Sequence, residues 1–244
     1  MAINLYATTV DGRITSPTNA TWATARDATS GNSVDTSASS SPYLAAVSKF
    51  GGRGADTYRV HRSFLYFYTG DITGPVSGLK LMVHGITLES GGGRAVKASN
   101  AFSGSSPVGS LVVADFDAID GYSAGNTMSG TTTYASGFDS PGSWDKDNYN
   151  AFACSSALAT DMQNDNFVKL CFVNYTYDWR NIAPSSVGTV SAGAYYADNT
   201  GTAVDPYIQY SLAGFGGDIN TVSAANIGKV NTVATANISK IITV

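Results

Sequence analysis

Charge is scarce in this chain. Of 244 residues, 14 are Lys or Arg and 18 are Asp or Glu, so charged residues make up 13%, about half the ~25% of an ordinary soluble domain. The polar surface therefore has to be built from Ser, Thr, Asn and Gly. The net charge of −4 gives no basic stripe for a nucleic-acid backbone. Arg59, His61 and Arg62 form the one small basic cluster and fall inside a predicted strand, so nucleic acid is not an expected partner. No apolar run approaches the ~20 residues of a membrane-spanning helix, and no membrane span is expected. Met1–Val10 has neither a basic start nor a long apolar run, which reads as no secretory signal and as synthesis in a cytoplasm.

Cysteine and histidine are nearly missing. Cys154 and Cys171 read as two small buried hydrophobes, with a disulfide left open but disfavoured by cytoplasmic synthesis. Together with His61 and His84 they make no zinc pattern, and no metal or other cofactor is expected. No GxSxG elbow accompanies the histidines, so a nucleophilic triad is not supported. Asp115, Asp117 and Asp120 could supply oxygens to a cation or a carboxylate pair to a glycosidase. The later Gly and Glu of a calcium loop are missing, and the three read first as turn and cap residues. Asp145 and Asp147 read the same way. Gly91–Gly93 leads into a strand rather than a helix, so it offers no helix N-terminus to phosphate. The expectation is a protein without catalytic residues.

Apolar material is present in quantity, 43% of the chain with 11% aromatic, enough for a real core. Tyr58–Tyr68 is dense in aromatic and β-branched residues on both faces and reads as a strand buried on both sides. Leu79–Leu88 alternates, with Leu79, Leu81 and Val83 on one face and Met82, His84, Ile86 and Leu88 on the other. Further strands are read at Arg94–Ala98, Phe167–Tyr177, Thr189–Tyr196 and Tyr207–Leu212, with a loop at Asp35–Pro42. A short helix is read at Pro42–Phe50 from the spacing of Leu44, Val47 and Phe50. A second is read at Ala157–Met162, capped by Ser155 or Ser156, with Leu158 and Met162 on one face. Short strands punctuated by Gly, Pro and Asn point to an all-β fold, a jelly-roll-like antiparallel β-sandwich over residues 1–212.

Residues 213–218 form a Gly-rich linker, and the chain then repeats itself. Asn220–Val230 reads NTVSAANIGKV and Asn231–Ile241 reads NTVATANISKI. The copies share Asn-Thr-Val, Ala-Asn-Ile and Lys, with Val exchanged for Ile at the end. Eleven residues fit a right-handed helical coil, but Asn, Thr and Val are poor helix formers, so an extended arm of short β pieces is favoured over 219–244. Two units are too few to bury their own apolar residues. Val222, Ile227, Val230, Val233, Ile238 and Ile241 are therefore expected to dock elsewhere, which makes 219–244 an assembly arm. Tyr175, Tyr177 and Trp179 at period two, with Tyr195 and Tyr196, are core or interface residues that could also form a platform for sugar rings.

Several segments in order carry a resemblance. They are TWATARDA (21–28), FGGRGADTYRVHRSFLYFYTGDI (50–72), VADFDAIDGY (113–122), YDWRNIAPSS (177–186), SAGAYYADNTGTAVDPYIQYS (191–211) and the ANIxKV tail. The set resembles structural proteins of tailed bacteriophages. RSFLYF, VSGLKLMV and DPYIQY are similar to the pattern of DNRLRE-type β-sandwich domains. The resemblance implies a sandwich in a virus particle, a head decoration or fibre-like protein with no catalytic residues. Expected partners are other virion proteins and copies of the chain itself, a trimer being one such assembly. The alternative is a carbohydrate-binding module or host-receptor adhesin that takes a host-surface glycan.

Overall fold

A computed structural model of the chain describes residues 2–36, 40–41, 43–87, 91–102, 109–136, 144–197 and 201–212, together with a strand pair at 229–230 and 233–234. The protein is an all-β sandwich of antiparallel sheets. In chain order the strands are β1 (Ala2–Tyr6), β2 (Gly12–Thr15), β3 (Ser33–Asp35), β4 (Ser40–Ser41), β5 (Ala45–Phe50), β6 (Thr57–Tyr68), β7 (Val76–Thr87) and β8 (Arg94–Ala98). They continue with β9 (Thr133–Ser136), β10 (Tyr149–Ala153), β11 (Phe167–Asn174), β12 (Gly188–Val190), β13 (Gly193–Tyr195) and β14 (Tyr207–Leu212).

Each sheet is organised by one 12-residue strand. In the six-stranded sheet β7 is central, with β10 opposite residues 80–84, β14 opposite 76–82 and β13 beyond it at 85–87; β1 borders β14 and β4 borders β13. In the eight-stranded sheet β6 is central. His61 pairs with both Thr15 and Ala46, and Phe64 with both Gly12 and Cys171. Thus β2 takes one edge of β6 while β5 and β11 share the other. Strand β11 continues the sheet through β8 to β9, β5 through β12, and β2 carries β3.

Two strands switch sheets side by side. The chain leaves β4 in the smaller sheet and enters β5 in the larger one. The run β12–β13 makes the reverse crossing next to it, and the Leu44 amide donates to the Ala192 carbonyl at 2.8 Å across the corner. Such corners are how packed sheets share strands. The stretch read as one strand, Thr189–Tyr196, is thus two strands in different sheets, broken at Ser191 and Ala192. The helix read at Pro42–Phe50 is the strand β5. Ala45, Ala46, Val47 and Ser48 are all buried, so both faces are covered and the alternation that marks a strand is erased. Within Asp35–Pro42, read as loop, the short strand β4 appears.

The main core lies between the sheets. Leu65, Phe67, Leu81, Val83, Phe152, Leu170 and Phe172 fill it. Helix α2 (Ser156–Asn164) closes one side, with Leu158 and Met162 buried on it as their spacing predicts. The Ser155 hydroxyl does not cap this helix; it donates to the Thr133 carbonyl at 2.7 Å instead. A second core lies on the outer face of the larger sheet, where Val60, Phe64, Tyr66, Cys171 and Val173 meet Trp22, Phe102, Phe116 and Met128. These come from a third layer: the short helix α1 (Trp22–Arg26) and two 3-10 turns, Val113–Asp117 and Met128–Gly130. Strand β6 is buried on both sides because it sits between the two cores.

Of the expected arm, Val222, Ile227, Ile238 and Ile241 lie outside the described residues. Val230 and Val233 pair with each other, and Lys229 pairs with Ala234, in a two-strand antiparallel ladder that spans the junction of the two repeats.

Candidate functional site

The five aromatics singled out in the sequence fall in three places. Strand β11 stops at Asn174, and Tyr175–Trp179 winds into a single π-helical turn. The cause is local: the Asn174 side chain accepts from the Tyr177 amide at 3.0 Å, an Asx cap that competes with the ladder. Tyr175, Tyr177 and Trp179 therefore do not alternate along a strand. They are half-buried against the second core, where Tyr175 and Trp179 have ring centroids 5.3 Å apart and the Arg180 guanidinium lies 4.7 Å from the Tyr175 ring. Tyr196 is buried in the main core and shares a hydrogen bond of 2.6 Å with Ser63. Tyr195 lies on the opposite side of the molecule, beside His84.

The π turn has another task. It carries Asp178 inward between two arginines. The Arg62 Nε and Nη2 donate to the two Asp178 carboxylate oxygens at 2.9 and 2.8 Å, and all three side chains are fully buried. Arg62 also donates to the carbonyls of Phe116 and Arg26, and stacks 4.3 Å from the Phe116 ring centre. Arg26 donates to the Asp178 and Asn126 carbonyls and to the Asp27 carboxylate. Burial opposes the Arg62 charge, but the Asp178 carboxylate outweighs it and holds the guanidinium pKa above its usual value. The Tyr122 hydroxyl, desolvated beside Asp178 and bonded to Asp27, is pushed up to about 12. Trp22 donates to Asn181 at 2.9 Å, and Asn181 donates to the Gly125 carbonyl. Lys97 lies 3.3 Å from the centre of the Trp179 ring and donates to Met128 and Thr133 at 2.7 Å each; burial lowers its pKa to about 7.

This network joins four of the segments that carried the resemblance: Trp22, Arg26 and Asp27 from the first, Arg62 from the second, Phe116 and Tyr122 from the third, and Asp178, Trp179 and Asn181 from the fourth. Their chemistry is directed inward and fastens the loop layer to the sheet. Two of the carboxylates read as turn residues, Asp115 and Asp145, behave so. Asp115 accepts from the Phe102 and Val112 amides, and Asp145 from the Asp147 amide and the Asn148 side chain. His61 is buried beside Thr15 and stacked on Tyr43, and burial together with Arg13 and Arg59 lowers it to about 3. Both cysteines are free thiols, Cys171 buried and Cys154 half-buried.

The outer face of the six-stranded sheet is different in kind. Paired residues share a face, so Tyr6 lies beside Tyr207, Tyr207 beside Met82, and Tyr149 beside His84. Their rings form a continuous series. Centroids are 5.4 Å apart for Tyr6–Tyr207, 5.0 Å for Tyr207–Tyr149, 5.1 Å for Tyr149–His84 and 5.3 Å for His84–Tyr195. Every one of these residues is half-buried, and Asn4, Lys80 and Ala151 beside them are exposed. Of this set the sequence reading had marked only Tyr195. Tyr6, Tyr149 and Tyr207 lie far apart in the chain, and only strand register brings them together. The sequence signal was faint: an aromatic at one end of each of three short strands. No known family model matches the chain, and no curated protein matches it.

Proposed function

We propose that the protein is a structural component of a tailed-phage particle, a head decoration or fibre-like protein that carries out no catalysis and assembles through its C-terminal arm. The observation that carries this reading is the tandem 11-residue repeat placed directly after the sandwich. The last sandwich strand, β14, ends at Leu212, and the copies begin at Asn220. Apolar residues repeated in so short a segment need a surface that is not their own. Main-chain pairing to a sheet edge would supply affinity, and alternate side chains would supply register. The interior supports the same reading: the fully buried charges of Arg26, Arg62 and Asp178 are engaged in fastening one layer to another. In this reading the protein works in the virion, among other virion proteins and copies of itself.

The test is the native mass, by light scattering, of the full chain and of a 1–218 truncation, which keeps every sandwich strand. The expected result is an oligomeric full chain and a folded, monomeric truncation. Equal masses for the two would refute self-assembly through the arm.

A further inference from the structure

The two outer faces of the sandwich are treated in opposite ways. On the eight-stranded sheet, outward side chains such as Arg62, Phe64, Lys97 and Val173 are buried beneath the loop layer. On the six-stranded sheet, the outward side chains of β1, β7, β10 and β14 are all half-buried or exposed among the described residues. Yet this open face carries a run of four tyrosines and a histidine. Solvated faces of antiparallel sheets are ordinarily polar, so an uncovered aromatic series implies a ligand.

The chemistry of the face narrows the ligand. Lys80 is the one Lys, Arg, Asp or Glu on the outward positions of the described strands here, so a charged polymer has almost nothing to pair with. An aliphatic protein surface would desolvate the tyrosine edges and the Asn4 and Gln209 amides, whose one mutual bond, donated by Gln209 at 3.4 Å, leaves the rest of their donors and acceptors unmet. A sugar chain suits both features. Its C–H faces stack on rings while its hydroxyls meet phenol, imidazole and amide groups. The rings are also held in advance. The Tyr149 hydroxyl lies 3.1 and 3.0 Å from the Ala203 and Asp205 carbonyls, and neighbouring rings pack edge to face, which lowers the ordering cost of binding. The series passes from β1 and β14 to β10 on the far edge of β7 and turns back over β7 to β13, so it offers a bent platform to a chain laid on the sheet.

We propose that the outer face of the six-stranded sheet binds a neutral polysaccharide chain over Tyr6, Tyr207, Tyr149, His84 and Tyr195. This binding is independent of the arm and survives its removal.

The experiment screens the full chain against an array of neutral and acidic glycans and measures the retained neutral oligosaccharides by calorimetry. Tyr207→Ala is expected to weaken binding about tenfold, the scale of one lost stacking contact. Tyr6→Ala on the edge strand is expected to weaken it less and to leave the fold intact should Tyr207→Ala not fold. Tyr175→Ala on the opposite side is expected to leave binding unchanged. Retention of acidic glycans alone, retention of none, undiminished binding in folded Tyr6→Ala and Tyr207→Ala, or loss of binding in folded Tyr175→Ala would each overturn the proposal.

Discussion

Replacing Asp178 with Asn tests whether the loop layer is held as described. The substitution keeps size and shape but removes the one carboxylate that faces both Arg62 and Arg26. Arg62 would keep its bonds to the Phe116 and Arg26 carbonyls but would hold a desolvated charge with no carboxylate bonded to it. Removing one member of a buried ion pair costs about 3–5 kcal/mol. A destabilisation of that size, a large part of the total for a domain, is expected in urea unfolding as a lower midpoint with an unchanged slope. Replacing both members by apolar residues, Arg62→Met with Asp178→Leu, removes the stranded charge. The double variant should be more stable than Asp178→Asn alone. A loss below about 1 kcal/mol for Asp178→Asn would refute the reasoning, because it would mean that water reaches Arg62 and that the layer is looser than its buried contacts indicate.

The remaining expectations are simpler to state. His61 is held near 3 when folded and returns to about 6.5 when unfolded. The unfolded state then binds more protons between those values, so stability present above pH 6.5 is lost as pH falls, by about 2 kcal/mol from pH 7 to pH 5. His61→Phe, which keeps a ring against Tyr43, should flatten the pH dependence measured by chemical unfolding in that window, and an unchanged slope would refute the assignment. Burial pushes the Cys154 thiol up to about 11 and raises Cys171 further. A thiol reagent at pH 8 should therefore leave both unmodified in the folded protein and label both after unfolding. Rapid labelling of Cys171 in the native state would contradict its burial.

Much of the sheet framework was legible because some strands leave a local mark. Strand β8 was read at its observed bounds, β14 likewise, and β6 within one residue, since each is bounded by turn residues and dense in strand formers. Leu79, Leu81 and Val83 were read on one face of β7, and that face is the buried one. The failures share a cause in the third dimension. Strand β5 hides its alternation because it is covered on both sides, the Thr189–Tyr196 run bends at a sheet corner, and Asn174 ends β11 with its own side chain. The aromatic face was illegible for a further reason. Tyr6, Tyr149 and Tyr207 belong to β1, β10 and β14, and which of them share a face depends on pairing register that one sequence does not encode locally.

The scarcity of charge takes on a different meaning once the charges are located. Arg26, Arg62, Arg94 and Lys97 are fully buried, so part of the small cationic complement is absent from the surface altogether. For Arg26, Arg62 and Lys97 the reason lies in the loop layer. Strand ladders satisfy their own main chain, but irregular segments crossing a sheet face bring carbonyls that have no ladder to join, and each must find a donor once water is excluded. Arg62 and Arg26 reach the carbonyls of Phe116, Arg26, Asp178 and Asn126, and Lys97 reaches that of Met128. An arginine fork is suited to this because its several donors are fixed in one plane. The same choice leaves the opposite sheet face nearly without charge. The larger sheet is closed by cations turned inward, and the smaller sheet is left open, aromatic and neutral, which are the properties that the polysaccharide proposal requires.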